Sequence, residues 1–283
     1  MSSGIHLRRY RVKERSKVRL SDWKTDDTSG FDGKKEDGIR LLTSNAKKID
    51  ELQELLYAEH RHKLLVVLQG MDSSGKDGTI RRVFFGVNPE GVRVAHFGRP
   101  SAEEAAHDYL WRAHRQTPET GEIVIFNRSH YESVLVERVH ELVQEKVWRK
   151  RYAQINDFER MLSEEGAQIL KFFLYIDKDE QAKRFQDRLK DSTKHWKFSY
   201  LDYNERRFWK DYMAAYEEAI AQTSTEAAPW YVVPSDHPWF RDLVVSQVVL
   251  EALKDFGMRY PKLDAVKARL ATESGPPGPH KHP

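Results

Sequence analysis

The stretch Gly70 to Thr79, Gly-Met-Asp-Ser-Ser-Gly-Lys-Asp-Gly-Thr, limits the fold more than any other part of the chain. It follows a short apolar run, Leu64 to Gln69, and leads into the helical pattern Ile80-Arg81-Arg82-Val83-Phe84. Strand, glycine-rich turn and helix in that order make the context of a phosphate-binding loop. Gly70 and Gly75 let backbone N–H groups face one concave site, the helix N-terminus adds positive potential, and Lys76 brings a mobile cation. The candidate phosphate-binding residues are therefore Gly70, Met71, Ser73, Ser74, Gly75, Asp77, Gly78 and Thr79, with Lys76 as the cation among them. A strand-to-helix turn without a ligand is the competing reading.

Four further runs, Val92 to Phe97, Glu122 to Phe126, Ile169 to Ile176 and Trp230 to Val233, read as strands, and helical patterns fill the gaps. Strands apolar on both faces and separated by helices predict an α/β fold, a doubly wound parallel five-stranded sheet covered on both sides. Before the first strand, Ile49, Leu52, Leu55 and Leu56 share one helical face after Ser44 as cap, and the helix fades near His60. Residues 1–43 read as a basic arm and loop outside the core, because Arg8 to Arg19 hold seven basic side chains against one acid, Glu14. The catalytic domain is expected at 44–263. The Gly- and Pro-rich tail at 264–283 is expected to be coil.

The chain contains no cysteine, which removes disulfides, thiolate nucleophiles and cysteine-ligated zinc together. No apolar run approaches the roughly 20 residues of a membrane helix, and the N-terminus lacks the apolar core of a signal peptide. These features predict a soluble, cytoplasmic protein with no membrane partner. The formal charge of +3 conceals dense and balanced charge, so only local clusters bear on anionic partners.

The loop departs from the nucleoside-triphosphatase pattern at Asp77, which stands where a Ser or Thr would ligate magnesium. Asp72 adds a carboxylate inside the loop. A carboxylate aimed at a polyanion repels it unless a cation lies between, so Asp72 reads as a magnesium ligand, with an Asx turn as its local alternative. The third strand ends in Asn127-Arg128-Ser129-His130-Tyr131-Glu132. Asn127 replaces the acid expected at that strand tip, Glu132 restores a carboxylate, and Arg128 can meet phosphate oxygens bidentately. Without the loop, Arg128 and Glu132 would read as an ordinary i,i+4 pair. A second basic cluster, Arg184, Arg188, Lys190, Lys194 and Lys197 around Trp196, follows the fourth strand, where a lid over phosphates would sit. A solvated helix face is its alternative.

Taken together, the motifs Gly70-Met-Asp-Ser-Ser-Gly-Lys-Asp-Gly78, His107-Asp-Tyr-Leu-Trp-Arg112, Phe126-Asn-Arg-Ser-His-Tyr-Glu132 and Arg188-Leu-Lys-Asp-Ser-Thr-Lys-His-Trp-Lys-Phe-Ser199 resemble the second family of polyphosphate kinases. The resemblance runs from about Tyr10 to about Leu263. It implies a thymidylate-kinase-like P-loop core with a helical lid at about 184–203, and transfer of the terminal phosphoryl of polyphosphate to AMP or ADP, with ATP as a product. It also implies a homo-oligomer and dependence on magnesium, or manganese as the alternative ion, held by Asp72 and Glu132 with Asn127 assisting. The catalytic set carried over is Asp72, Lys76, Asn127, Arg128, Glu132, Arg188 and Lys194. Lys190 and Lys197 join the phosphate-binding residues, and Phe97, Arg99, Tyr131 and Trp196 are the candidates for the nucleotide. Asn127 combined with Glu132 resembles the class that accepts both AMP and ADP. Gly98, Ser192 and Pro238 depart from the family pattern, and Gly98 and Pro238 remove two expected lysines. Two rival readings are an ATP-dependent nucleoside monophosphate kinase on the same fold and a non-catalytic binder of polyanions or nucleic acid.

Overall fold

The computed structural model describes residues 4–197 and 199–263, with Lys194, Lys197 and Leu201 described in backbone only. The expected coil at 264–283 lies outside the described residues. Five strands, β1 (Lys63–Gln69), β2 (Val92–His96), β3 (Ile123–Asn127), β4 (Ala167–Tyr175) and β5 (Trp230–Pro234), form one sheet in the order β2-β3-β1-β4-β5. Every pairing is parallel. The longer helices are α1 (Lys35–Glu59), α2 (Lys76–Val83), α3 (Glu145–Glu164), α4 (Lys178–Lys190), α5 (Trp209–Thr223) and α6 (Pro238–Asp255). All five strands match the sequence expectation to within two residues at the described ends.

Side chains alternate across a strand, so each central strand feeds two cores. Leu65, Val67, Val124, Phe126, Ile169 and Phe173 face the layer that contains α3 and α5. Leu64, Val66, Leu68, Ile125, Phe172 and Leu174 face the layer of α1 and α6. The chain leaves β1 for the far edge, returns through β3 beside it, and then continues on the other side through β4. The tip of β1 is thus the point where strand order reverses, the place where open α/β sheets bind ligands.

Two expectations about the N-terminal part are corrected. Helix α1 starts at Lys35 rather than after Ser44. Gly38, which reads as a helix breaker, lies inside it because an added Cβ would come within 2.4 Å of the Trp239 ring on α6. The segment read as an arm outside the core supplies Tyr10, Val12, Val18 and Leu20 to the core. Val12 N–H donates to the Trp230 carbonyl at 2.8 Å and Val232 N–H to the Tyr10 carbonyl at 2.8 Å, so this segment runs antiparallel along β5. It covers an edge that would otherwise expose unpaired backbone groups. Its basic residues alternate with these apolar ones, which hid the burial behind a charge run. Among the described residues, no helix is long and apolar enough to cross a membrane.

A charged cluster lies within the apolar layer of α3 and α5. Lys171, in the middle of β4 and fully buried, donates to Glu159 Oε2 at 2.5 Å, to the Tyr131 hydroxyl at 2.9 Å and to the Thr223 carbonyl at 2.7 Å. Burial pushes the Glu159 carboxyl up, but Lys171 and His130 outweigh it and hold the group below its ordinary range. Removing one partner would leave a buried charge uncompensated. Lys171→Ala is therefore expected to cost about 3–5 kcal/mol, read as a lower urea midpoint, and Lys171→Met with Glu159→Leu to recover most of it.

Candidate active site

The β1–α2 loop takes its shape from three residues in the left-handed region, Gly70 at φ 149°, Ser73 at φ 66° and Gly75 at φ 109°. Only glycine adopts the first and third without strain, and a Cβ on Gly70 would also press within 2.7 Å of the Leu174 carbonyl. Lys76 folds back under the loop and donates to the Gly70 carbonyl at 2.7 Å and the Met71 carbonyl at 3.3 Å. The hydroxyls of Ser73 and Ser74 are buried, with no hydrogen-bond partner among the described residues. A bound phosphate would supply acceptors for them.

Arg128 stands at the tip of β3, directly beside this loop, because β3 pairs with β1 in register Leu68 to Asn127. Its own backbone is left-handed at φ 60°, fixed by its N–H donating to the Leu68 carbonyl at 3.0 Å. That conformation turns the guanidinium across the loop, where it pairs with Asp72 on one side and with Glu132 Oε2 at 3.4 Å on the other. Burial opposes the charge on Arg128, but Glu132 and Asp72 together raise its pKa further. A short 3₁₀ turn, His130–Ser133, delivers Glu132, with Ser129 Oγ accepting from the Tyr131 N–H at 3.1 Å as its cap.

Two depressions meet at Asp72, Arg128 and Asp202. One is a cavity of about 200 Å³ reaching past Glu132 to Leu135, Val136, Tyr212 and Tyr216. The other is a trough of about 610 Å³ along Lys76, Gly78, Arg99, Arg188 and Trp196. Burial first, and then the Asp72 charge, raises the pKa of Asp202 where they join.

Known proteins match this chain across most of its length. A model of the family Polyphosphate kinase 2 matches residues 32–260. An AMP/ADP-polyphosphate phosphotransferase of Meiothermus ruber is 52% identical over 94% of this chain and 100% of its own length. An ADP-polyphosphate phosphotransferase of Rhodopseudomonas palustris is 44% identical over 91% of this chain and 93% of its own. The crystal structure of Polyphosphate Kinase 2 from Arthrobacter aurescens TC1 superposes with a TM-score of 0.89 at 42% identity, covering 96% of this chain and 98% of that one. The chain belongs to the polyphosphate kinase 2 family.

In this polyphosphate kinase 2 chain, Asp72, Lys76, Arg128 and Glu132 converge. Asn127 lies one step away, its amide donating to Asp77 Oδ1 at 2.8 Å while its own buried oxygen has no partner among the described residues. Arg188 lines the trough with its guanidinium 5.4 Å from the Phe185 ring centre, and Lys190 is exposed at the end of α4. The side chains of Lys194 and Lys197 lie outside what is described. Helix α4 stops at Lys190, and a 3₁₀ turn, Ser192–Lys197, carries Trp196 with 78% of its surface exposed.

Three expected site residues sit elsewhere. Tyr131 is fully buried and its hydroxyl donates to Glu159 at 2.9 Å, so it has no free face for a base. Phe97 is buried against Phe126 at 4.7 Å between ring centres. Thr79 turns inward, donating to Asp242 Oδ1 at 2.7 Å. Beyond the basic cluster that includes Arg184, the sequence gives no site role to Gln181, Asp202 or Arg241. These three carry no motif.

Burial, and then the positive charge of Arg128, lower the pKa of Lys76 to about 8, against the opposing pull of Asp72, Glu132 and Asp77. The free loop therefore loses a cation as pH rises through that value. Tripolyphosphate binding in chelator is expected to weaken above pH 8, measured by titration calorimetry. In Lys76→Ala, binding is expected to be weaker at pH 7 without that alkaline decline.

Proposed function

We propose that the protein transfers the terminal phosphoryl group of inorganic polyphosphate to AMP and to ADP, giving ADP and ATP. The observation that carries this reading is the meeting of a phosphate loop, Lys76 and Arg128 with two carboxylates, at the junction of a smaller cavity and an open trough that carries Lys76, Arg99, Arg128 and Arg188. The trough suits a long polyanion, and the cavity suits a nucleoside, with Tyr212 and Tyr216 as aromatic walls and Asp202 and Glu205 as acceptors for ribose hydroxyls. An acceptor phosphate is already anionic at neutral pH, so the site needs no general base. Its task is to hold two polyanions in line.

Asp72 and Glu132 offer oxygen donors on either side of Arg128, and among the described residues no cluster of three or more His, Cys, Asp or Glu forms a protein-only cage. This donor set fits a magnesium ion completed by water and substrate phosphate oxygens. When bound, the ion would neutralise charge on the phosphate oxygens that come together there. The loop amides and Lys76 would hold the transferring group, Arg128 would face its equatorial oxygens, and Arg188 would approach from the lid. The enzyme is further read as cytoplasmic and as a homo-oligomer; light scattering of the purified protein tests the oligomer.

The direct test supplies polyphosphate or ATP as donor, AMP or ADP as acceptor, and magnesium, and measures the nucleotide products. Polyphosphate is expected to act as donor for both acceptors; turnover with ATP as the only effective donor would overturn the reading. Asp72→Ala and Lys76→Ala are each expected to lower turnover by about 10²-fold or more. The pair Asn127 and Glu132 places the negative charge on the helix side of the site and leaves the strand tip neutral. Asn127→Asp with Glu132→Asn is accordingly expected to change the ratio of kcat/KM for AMP to that for ADP, and an unchanged ratio counts against this assignment.

A further inference from the structure

A loop whose N–H groups converge on an anion must turn its carbonyls away from the ligand and into the protein, where each needs a donor. In this chain the donors can be named. The Gly70 and Met71 carbonyls accept from Lys76, and the Asp72 carbonyl accepts from Gln181 Nε2 at 2.8 Å. The Ser73 carbonyl accepts from Arg184 at 3.1 Å. The Ser74 carbonyl accepts from Arg184 at 3.3 Å and from Arg241 Nη1 at 2.9 Å. The back of the loop is therefore held largely by cations.

Arg241 differs from the others in place and burial. It belongs to α6, 167 residues after Ser74, and is 1% exposed. Besides Ser74, its guanidinium donates through Nε to Thr79 Oγ1 at 2.8 Å and to Asp242 Oδ1 at 2.9 Å. One rigid, planar group thus spans the end of the loop and the first turn of α2. Asp242 is fully buried, accepts from Thr79 as well, and pairs with Arg82. The space for this guanidinium exists because residue 75 is glycine. A Cβ there would lie 1.9 Å from Arg241 Nη1, in addition to the strain of φ 109°. Gly75 thus admits an arginine from behind the loop.

We propose that Arg241 is a positioning residue for phosphoryl transfer: by gripping the Ser74 carbonyl from inside the protein, it fixes the loop in its phosphate-receiving shape. The role rests on the reading of residues 70–79 as the phosphate cradle. Arg241 touches no substrate in this account; it sets the direction of the amides that do, and adds positive potential behind them.

The test compares the full-length protein with Arg241→Lys, which keeps the charge and loses the fork. Titration with tripolyphosphate is expected to show binding about tenfold weaker, the scale of losing a charge-assisted hydrogen bond. With polyphosphate as donor, kcat/KM for polyphosphate is expected to fall by about as much, while KM for AMP holds within about twofold. Loss of thermal stability with tripolyphosphate binding and the KM for polyphosphate unchanged would overturn the proposal, because a merely structural arginine behaves that way. Wild-type protein that binds no tripolyphosphate would remove the cradle reading itself, a separate outcome. If Arg241→Lys fails to fold, Asp242→Asn keeps the shape and removes the carboxylate that orients Arg241. Weakened tripolyphosphate binding in that variant supports the role, and wild-type binding overturns it.

Discussion

The clamp of Arg128 between Asp72 and Glu132 is the interaction through which the site is assembled. It joins the loop after β1 to the turn after β3, two segments that approach only because the parallel register places Asn127 beside Leu68. Neither carboxylate would face a polyanion without a cation, and the guanidinium supplies one permanently. The same geometry obliges Arg128 to take a left-handed backbone, an unfavourable state for a residue with a side chain. Its N–H bond to the Leu68 carbonyl holds it there. Order at the site thus derives from the strand pairing.

Charge in the site is arranged in two rows. Arg128 and Arg188 border the space where phosphate is proposed to bind, Arg184 and Arg241 stand behind the loop on its carbonyls, and Lys76 lines the trough while donating to the Gly70 and Met71 carbonyls. Arg241 is buried and Arg184 half-buried, and both are engaged by carbonyl and carboxylate oxygens, so neither competes for substrate. Asp72, Asp77, Glu132 and Asp202 stand against the cations on the open side.

Much of the sheet was legible because parallel strands buried on both faces are near-continuous apolar runs, and their short length and the helical patterns between them separate them from buried helices. The phosphate loop was legible because its glycines and lysine are contiguous. The inward turn of Tyr131 was not. Past the tip of β3 the strand alternation ends at the left-handed Arg128, and the 3₁₀ turn that follows sends Tyr131 inward and Glu132 outward. Adjacent residues of one motif therefore point in opposite directions, with no periodicity to show it. Arg241 was invisible for another reason: its partners lie some 160 positions earlier, and α6 reads from its sequence as a mostly apolar helix. The segment at Tyr10 to Leu20 misled because its basic residues alternate with buried ones, as an edge strand requires and as a charge count conceals.

Lys171 carries a consequence for how the sheet is assembled. Its ammonium meets Glu159 only when β4 sits in the register that sets Val67 opposite it on β1. A slip of one residue would turn β4 over. Lys171 would then enter the layer now filled by Leu170, Phe172 and Leu174, while an apolar side chain would be left against the Glu159 carboxylate. The rest of β4 is apolar enough to fit either layer, so hydrophobic burial discriminates weakly between the two alignments. One buried ion pair acts as a key that a misaligned strand cannot turn.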